Sequence, residues 1–284
     1  MHELSPIDAF KLLEVPSHGE AAPAGRPEAR ARARFGVAQA LAQGRVGFHY
    51  QPVVQARNPR TPAFFEVLAR LTTPSGETLP AGSFLPAVEG GPLGRAIDRL
   101  ALAHALKVLR ANPGLRLSIN MSPLSMGDAE WLEILAEGTR LDRGACGRLI
   151  LEITEAAAMQ DPGQTVDFMD HVRQSGCAFA LDDFGAGATS FRYFRDFRFD
   201  MVKIDGSFIA GVAAARDAQV LVECLMAVAK HFEMVTVAER VENTADADWL
   251  RTLGIDCLQG WLYGRPSARL EMPDESGARS RIAG

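Results

Sequence analysis

Ala180-Leu181-Asp182-Asp183-Phe184-Gly185-Ala186-Gly187 is the stretch whose reading decides the fold. An apolar run from Cys177 to Leu181 ends in two adjacent carboxylates, and a glycine-rich turn follows at once. The pattern predicts a buried strand over 178–182 that delivers acid side chains to a loop. Adjacent strand residues point to opposite faces, but a chain leaving the sheet can turn both carboxylates toward one site. Two carboxylates held close together repel unless a proton or cation intervenes. A divalent metal resolves the conflict, and one carboxylate can bridge two metals about 3.5–4 Å apart. An isolated Asp-Asp-x-Gly can equally cap the next helix, because Asp is favoured at N-caps and in turns. The rest of the chain decides between the two readings.

Outward from this stretch, strands and helices alternate. Strands are expected over 46–54, 63–71, 115–120, 148–154, 178–182, 201–204, 235–239 and 256–259. Helices are expected over 94–110, 128–137, 163–175, 190–197, 217–232 and 244–253. The link 55–62, with Asn58-Pro59, is too short for a parallel crossover and predicts a hairpin. Eight strands mostly alternating with helices predict an α/β barrel, with a doubly wound sheet as the alternative. Before the first strand, 28–43 has the pattern of an amphipathic helix, with Phe35, Val37 and Leu41 recurring and Arg30, Arg32 and Arg34 on a solvated face. Residues 4–15 read as a short amphipathic segment and 17–27 as a Gly-, Ala- and Pro-rich linker. The expected organisation is an N-terminal extension over 1–27, a domain over 28–272 and a flexible tail over 273–284.

The chain has 284 residues, 47% of them hydrophobic, enough to bury the core of one large α/β domain or two small ones. No apolar run approaches the roughly 20 residues of a membrane span. The N-terminus lacks a basic-then-apolar signal pattern, so a soluble, cytoplasmic protein with no membrane span is expected. A net charge of −5 argues against binding a nucleic-acid polymer. It leaves room for a small phosphorylated ligand, because bound metals would offset the acids. Cys146, Cys177, Cys224 and Cys257 form no C-x-x-C pair, and none lies at zinc-finger spacing from a histidine. Cys177 and Cys224 sit in apolar runs and are expected to pack.

Polar residues recur where the expected strands end. The second strand carries Glu66, the third ends in Asn120, and the fourth carries Glu152 with Glu155 just beyond it. The fifth ends in Asp182 and Asp183, and the sixth carries Lys203 with Asp205 after it. The seventh ends in Glu239 and the eighth in Gln259. In a barrel these ends converge on the face that holds the active site. Singly, each has a plain structural alternative. Asn120 can make the turn before Met121-Ser122-Pro123, Lys203 and Asp205 can form a surface ion pair of little worth, and Gln259-Gly260 can turn the strand into a loop. Their joint placement carries the argument. Carboxylates and an amide carbonyl are hard oxygen ligands suited to Mg²⁺ or Mn²⁺ and not to Zn²⁺. His49 lies inside a strand, and His104, His171 and His231 lie on helices; all four read as structural. A lysine among acids can stabilise charge on a phosphoryl oxygen or hold an attacking water. Such a site points to phosphoester hydrolysis.

Eight motifs, taken in order, resemble the EAL domain family of cyclic-di-GMP phosphodiesterases. They are YQPVV at 50–54, EVLAR at 66–70, SINMSP at 118–123, LEITE at 151–155, ALDDFGAG at 180–187, VKIDGSFI at 202–209, AERVEN at 238–243 and QGWLYGRP at 259–266. The resemblance runs from about Phe35 to Pro266. It implies a TIM-like (β/α)8 barrel whose first strand is antiparallel, in agreement with the short link after Val54. It implies that Glu66, Asn120, Glu152 and Asp182 hold one Mg²⁺ or Mn²⁺, and that Asp182, Asp183 and Glu239 hold or orient a second. Lys203 would contact the attacking water, Glu239 would assist as base or through that water, and Gln259 would line the site. Gln51 and Arg70, with Asp183, stand at ligand-binding positions; arginine suits a phosphate. Glu155 resembles a residue that braces the loop after Asp183, and Glu242 an acid near the site. The implied reaction is hydrolysis of cyclic di-GMP to linear pGpG. The implied partner is a second copy, docked through that loop and the aromatic segment Phe191, Tyr193, Phe194, Phe197 and Phe199, which can alternatively fill the barrel's outer layer. The resemblance also admits a catalytically silent cyclic-di-GMP receptor or scaffold. The chain departs from the family pattern at Val67, where Ala is usual, at Ala186 and Ala188, where Thr and Tyr are frequent, and at Arg240, where Gly is usual. A left-handed backbone at Arg240 would be strained.

Overall fold

A computed structural model describes residues 27–186, 195–273 and 279–281. Helix α1 (Pro27–Ala42) leads into β1 (Val46–Gln55) and β2 (Asn58–Thr72). The two-residue turn between these strands forces an antiparallel pair, with Gln51 opposite Glu66. Strand β3 (Thr78–Pro80) extends the outer end of β2. Six strands then follow: β4 (Leu117–Asn120), β5 (Leu149–Thr154), β6 (Ala178–Phe184), β7 (Met201–Ile204), β8 (Val235–Ala238) and β9 (Cys257–Gln259). From β5 onward each pairs in parallel with the one before it, and β4 pairs in parallel with β2. Strand β1 closes the ring by pairing antiparallel with β9 as well as with β2. The result is the expected eight-stranded barrel with one antiparallel strand, and β3 stands outside the ring.

Among the described residues, five further helices of ten residues or more cover the outside: α2 (Pro92–Ala111), α3 (Ala129–Leu141), α4 (Pro162–Arg173), α5 (Arg216–His231) and α6 (Thr244–Leu253). Their ends follow from local chemistry. Pro92 starts α2, where a missing N–H costs nothing. Asp128 caps α3 by accepting from Trp131 N, and Gly254, at φ 90°, closes α6 in the left-handed conformation. Outward strand residues such as Phe65, Leu117, Leu151, Phe179 and Val202 pack beneath these helices in one core with Leu102, Trp131 and Phe168.

Alternation by two residues sets the barrel interior. Val53, Phe64, Ile150, Ala180, Met201, Val237 and Cys257 form a separate buried cluster inside the ring. Two positions further toward the C-terminal ends, the same inward columns read Glu66, Glu152, Asp182, Lys203, Glu239 and Gln259. Asn120 stands two positions beyond Ser118, which is fully buried. An apolar plug therefore floors a polar layer.

Several expectations change. Phe35 is 57% exposed, whereas α1 buries Val37 as expected, together with Ala33 and Ala40, and Leu41 packs partly buried beside them. Cys224 is exposed on α5 and does not pack, whereas Cys146, Cys177 and Cys257 are buried. Most of the aromatic segment, and Ala188, lie outside the described residues. Phe197 and Phe199 are described, and both are buried in an edge-on pair with ring centroids 5.7 Å apart. In these two rings the outer-layer reading prevails over an exposed patch. The segments expected at 4–15 and 17–26 also fall outside the described residues. Within the expected tail, 279–281 pairs with Glu271–Pro273.

Candidate active site

Asp182 and Asp183 do not end their strand as expected; β6 continues to Phe184. The pairing of β6 with β7 instead slips between Leu181 and Phe184, where the single residue Lys203 of β7 faces both Asp182 and Asp183 of β6. Asp183 takes φ 55° within that bulge. A bulge re-aims side chains that regular alternation would send to opposite faces. One oxygen each from Asp182, Asp183 and Glu239 consequently lies within 4.8 Å of the others.

The other acids meet at Lys203. Its Nζ stands 2.7 Å from Glu239 Oε1, 2.8 Å from Glu152 Oε2, 3.1 Å from Asp182 Oδ1 and 3.6 Å from Glu66 Oε2. Among the described residues it is the one cation paired with these carboxylates. Glu66 is held from two sides, by Asn120 Nδ2 at 2.8 Å and by Gln259 Nε2 at 2.5 Å. Gln259 also reaches Gln51 Oε1 at 3.4 Å, and Gln51 Nε2 donates to Gly264 O. The Gly185 N–H donates to Glu155 Oε2 at 3.3 Å, linking that acid to the loop after Asp183. Arg70 stands on the inward column of Glu66, four residues further along β2, and donates to Ala69 O. Glu242 is exposed and has no hydrogen bond or ion pair to the cluster. The structure thus brings together Glu66, Asn120, Glu152, Asp182, Asp183, Lys203, Glu239, Gln259 and Gln51, and leaves Glu242 outside.

Crowding of like charges governs the electrostatics. Burial pushes the Glu239 carboxyl up to about 8, with Asp182 and Glu66 adding to the effect against the opposing pull of Lys203. Burial, then the Glu66 charge, raises Glu152 well above the usual carboxylate range. Partial burial, then Asp182 and Asp205, raises Asp183. Burial alone would lower the Lys203 pKa, but Asp182, Glu152, Glu239 and Glu66 overcome it and hold the ammonium firmly charged. More carboxylates than cations is the signature of a site that takes hard cations. Two further observations fit divalent metals. Glu152 Oε1 and Gln259 Oε1 are buried with no hydrogen-bond donor, and Asp182 Oδ1 has only the Lys203 ammonium beside it, at 3.1 Å. Every candidate ligand is oxygen.

Sequence reasoning missed Asp98. It is half-buried on α2 and accepts from Ser122 N at 3.0 Å and Ser125 Oγ at 2.7 Å. These bonds pin the loop that follows Asn120, and burial raises the Asp98 pKa. The available signal was an acid beside Ile97, Ala101 and Leu102 on an otherwise apolar helix face. Asp98 also lines a cleft of about 720 Å³ that opens beside Glu66 and Asn120. One histidine reading is filled in by contacts: Tyr50 OH meets His104 Nε2 at 2.7 Å, and Phe48 stacks on the same ring.

Comparison with known proteins follows the same outline. Residues 36–266 match the EAL domain. The cyclic di-GMP phosphodiesterase PdeB of Shewanella oneidensis is 33% identical over 81% of this chain, and PdeF of Escherichia coli is 30% identical over 84%. This chain spans 27% and 32% of those relatives' lengths. Among solved structures, a PaMucR phosphodiesterase in complex with c-di-GMP superposes with a TM-score of 0.76 at 29% identity, covering 83% of this chain and 97% of that one. The FimX EAL domain from Pseudomonas aeruginosa bound to c-di-GMP gives 0.76 at 25% identity, covering 83% and 96%. No helix among the described residues is long and apolar enough to cross a membrane. The chain belongs to the EAL domain family.

Proposed function

We propose that this chain hydrolyses cyclic di-GMP to linear pGpG, using two Mg²⁺ or Mn²⁺ ions, in the cytoplasm. The observation that carries the reading is the ring of inward oxygen ligands around Lys203, with buried acceptor oxygens that have no donor. Glu66, Asn120, Glu152 and Asp182 would hold one cation, and Asp182, Asp183 and Glu239 the other. When bound, the cations supply Lewis-acid activation of water and neutralise phosphoryl charge. Lys203, held by four carboxylates, orients the attacking water and stabilises charge on the phosphoryl oxygens. Glu239 assists as base or through that water. Attack on one phosphodiester breaks the bond from phosphorus to the 3′ oxygen and leaves a 5′-phosphate on pGpG. Gln259 and Asn120 fix Glu66 for its role. Gln51 and Arg70 contact the ligand, whose guanine fits the cleft beside Asn120. Glu155 holds the loop after Asp183, through which a second copy of the chain docks. Glu242 acts from the rim.

The test is hydrolysis of cyclic di-GMP by purified protein with Mg²⁺ or Mn²⁺, beside Glu66→Ala and Asp182→Ala. Linear pGpG from the wild type, with each variant reduced at least about 100-fold, is the expected result. Saturable binding without product would make the chain a cyclic-di-GMP receptor. Neither turnover nor binding would leave only the fold.

A further inference from the structure

Arg240 has a left-handed backbone, at φ 52°, that residues with a Cβ disfavour. Such strain persists where the surroundings hold it, and it clusters at functional sites. The stem of Arg240 lies flat on Gly206. A Cβ at that glycine would stand 2.1 Å from Arg240 Cδ, 2.4 Å from Cγ and 2.7 Å from Cβ. Gly206 lies just beyond Lys203 on the β7 side, and Arg240 directly follows Glu239 on the β8 side. The stem therefore bridges two strand ends whose inward residues meet at 2.7 Å. The residue is exposed, and its guanidinium has no hydrogen bond or ion pair with any described residue. An unpaired cation is thus anchored at the rim of a site crowded with carboxylates.

We infer that Arg240 is a substrate-binding residue, whose guanidinium takes the phosphodiester of the cyclic dinucleotide that is not being cleaved. The inference rests on the proposed phosphodiesterase reading. The carboxylates and Lys203 serve the phosphodiester under attack. The second anionic phosphodiester lies further out, over a rim made negative by Asp183, Asp205 and Glu239. A planar guanidinium pairs with two phosphate oxygens at once. Strain in the backbone is the cost of aiming it there.

The variants Arg240→Gly and Arg240→Gln separate strain from charge. Cyclic-di-GMP affinity would be measured by calorimetry in EDTA, steady-state kinetics with Mg²⁺, and stability by thermal melting. Arg240→Gly is expected to raise Tm by about 2–4 °C, with Kd and KM about tenfold higher and kcat changed less than about twofold. Arg240→Gln keeps the strain and loses the charge, so Kd and KM rise as much without the gain in Tm. The salt dependence of Kd becomes shallower in both. Gly206→Ala, which displaces the stem, weakens binding alone but adds nothing to Arg240→Gly. Unchanged Kd and KM in both Arg240 variants, beside a wild type that binds, would overturn this inference alone. A wild type that neither binds nor hydrolyses cyclic di-GMP overturns the phosphodiesterase reading and this inference with it.

Discussion

Lys203→Met tests the electrostatic design of the site without reference to any substrate. The substitution keeps length and apolar volume but removes the one cation among the described residues that pairs with these four carboxylates, at 2.7, 2.8, 3.1 and 3.6 Å. Breaking a buried ion pair by deleting one partner costs about 3–5 kcal/mol, because the charge left behind is uncompensated. For a domain of this size about 1 kcal/mol moves Tm by roughly 2–4 °C, so a fall of roughly 6–20 °C is expected in EDTA. The direction with pH follows from the raised carboxylates. Burial pushes Glu239 up to about 8 in the folded chain, against an ordinary carboxyl value of 4.5. The folded state thus binds more protons than the unfolded state between those values, so stability falls as pH rises through that window. One such group gives a slope of at most about 1.4 kcal/mol per pH unit. Removing Lys203 raises the carboxylates further, so the deficit of Lys203→Met is larger at pH 8 than at pH 6. Mg²⁺ supplies the missing charge and restores much of the Tm at pH 8. Thermal denaturation with and without Mg²⁺ at the two pH values reads all of this. A Tm within about 2 °C of wild type in EDTA at pH 8 would refute the assignment of Lys203 as the charge that holds this cluster together.

Two further predictions concern the scaffold beneath the site. A Cβ at Gly260 would stand 2.0 Å from Val241 O and 2.4 Å from Val241 N, backbone atoms that cannot yield, so Gly260→Ala is expected to cost at least about 3 kcal/mol in urea unfolding; a cost below about 1 kcal/mol would show that the two loops do not press together as described. Asp128 caps α3 and pairs with Arg99 through both oxygens. Asp128→Ala should cost about 1–3 kcal/mol at pH 7. The hydrogen bond from Arg99 depresses the Asp128 pKa, so the difference from wild type should shrink as pH falls below about 4; a deficit that does not change with pH would remove the charge argument.

The barrel was legible because its periodicities are local. Short, mainly apolar runs over 148–154 and 201–204, with helical spacing between them, report strands buried on both faces. The antiparallel first strand was legible because a short link has no room for a crossover. The members of the polar layer were legible for the same reason: each stands two residues beyond an inward apolar or small residue, and all but Glu66 lie within two residues of the end of their strands.

Other features depend on atoms distant in sequence. Alternation predicts that Asp182 and Asp183 diverge, and only the slipped pairing with β7 and the left-handed Asp183 show how they converge. Glu242 lies in the same motif as Glu239, yet the turn at Arg240 carries it into solvent. Asp98 read as one more helix residue until the loop after β4 was seen to close on it. Phe35 and Cys224 have the composition of core residues and face outward, because which side of α1 and α5 meets the barrel is set by the barrel. The sequence by itself determined the order of strands and helices, the closing hairpin and the chemical identity of the polar layer, since all of these are encoded in short-range spacing. The tertiary structure decided where those side chains point, since direction at a strand end is set by backbone dihedrals that neighbouring strands impose.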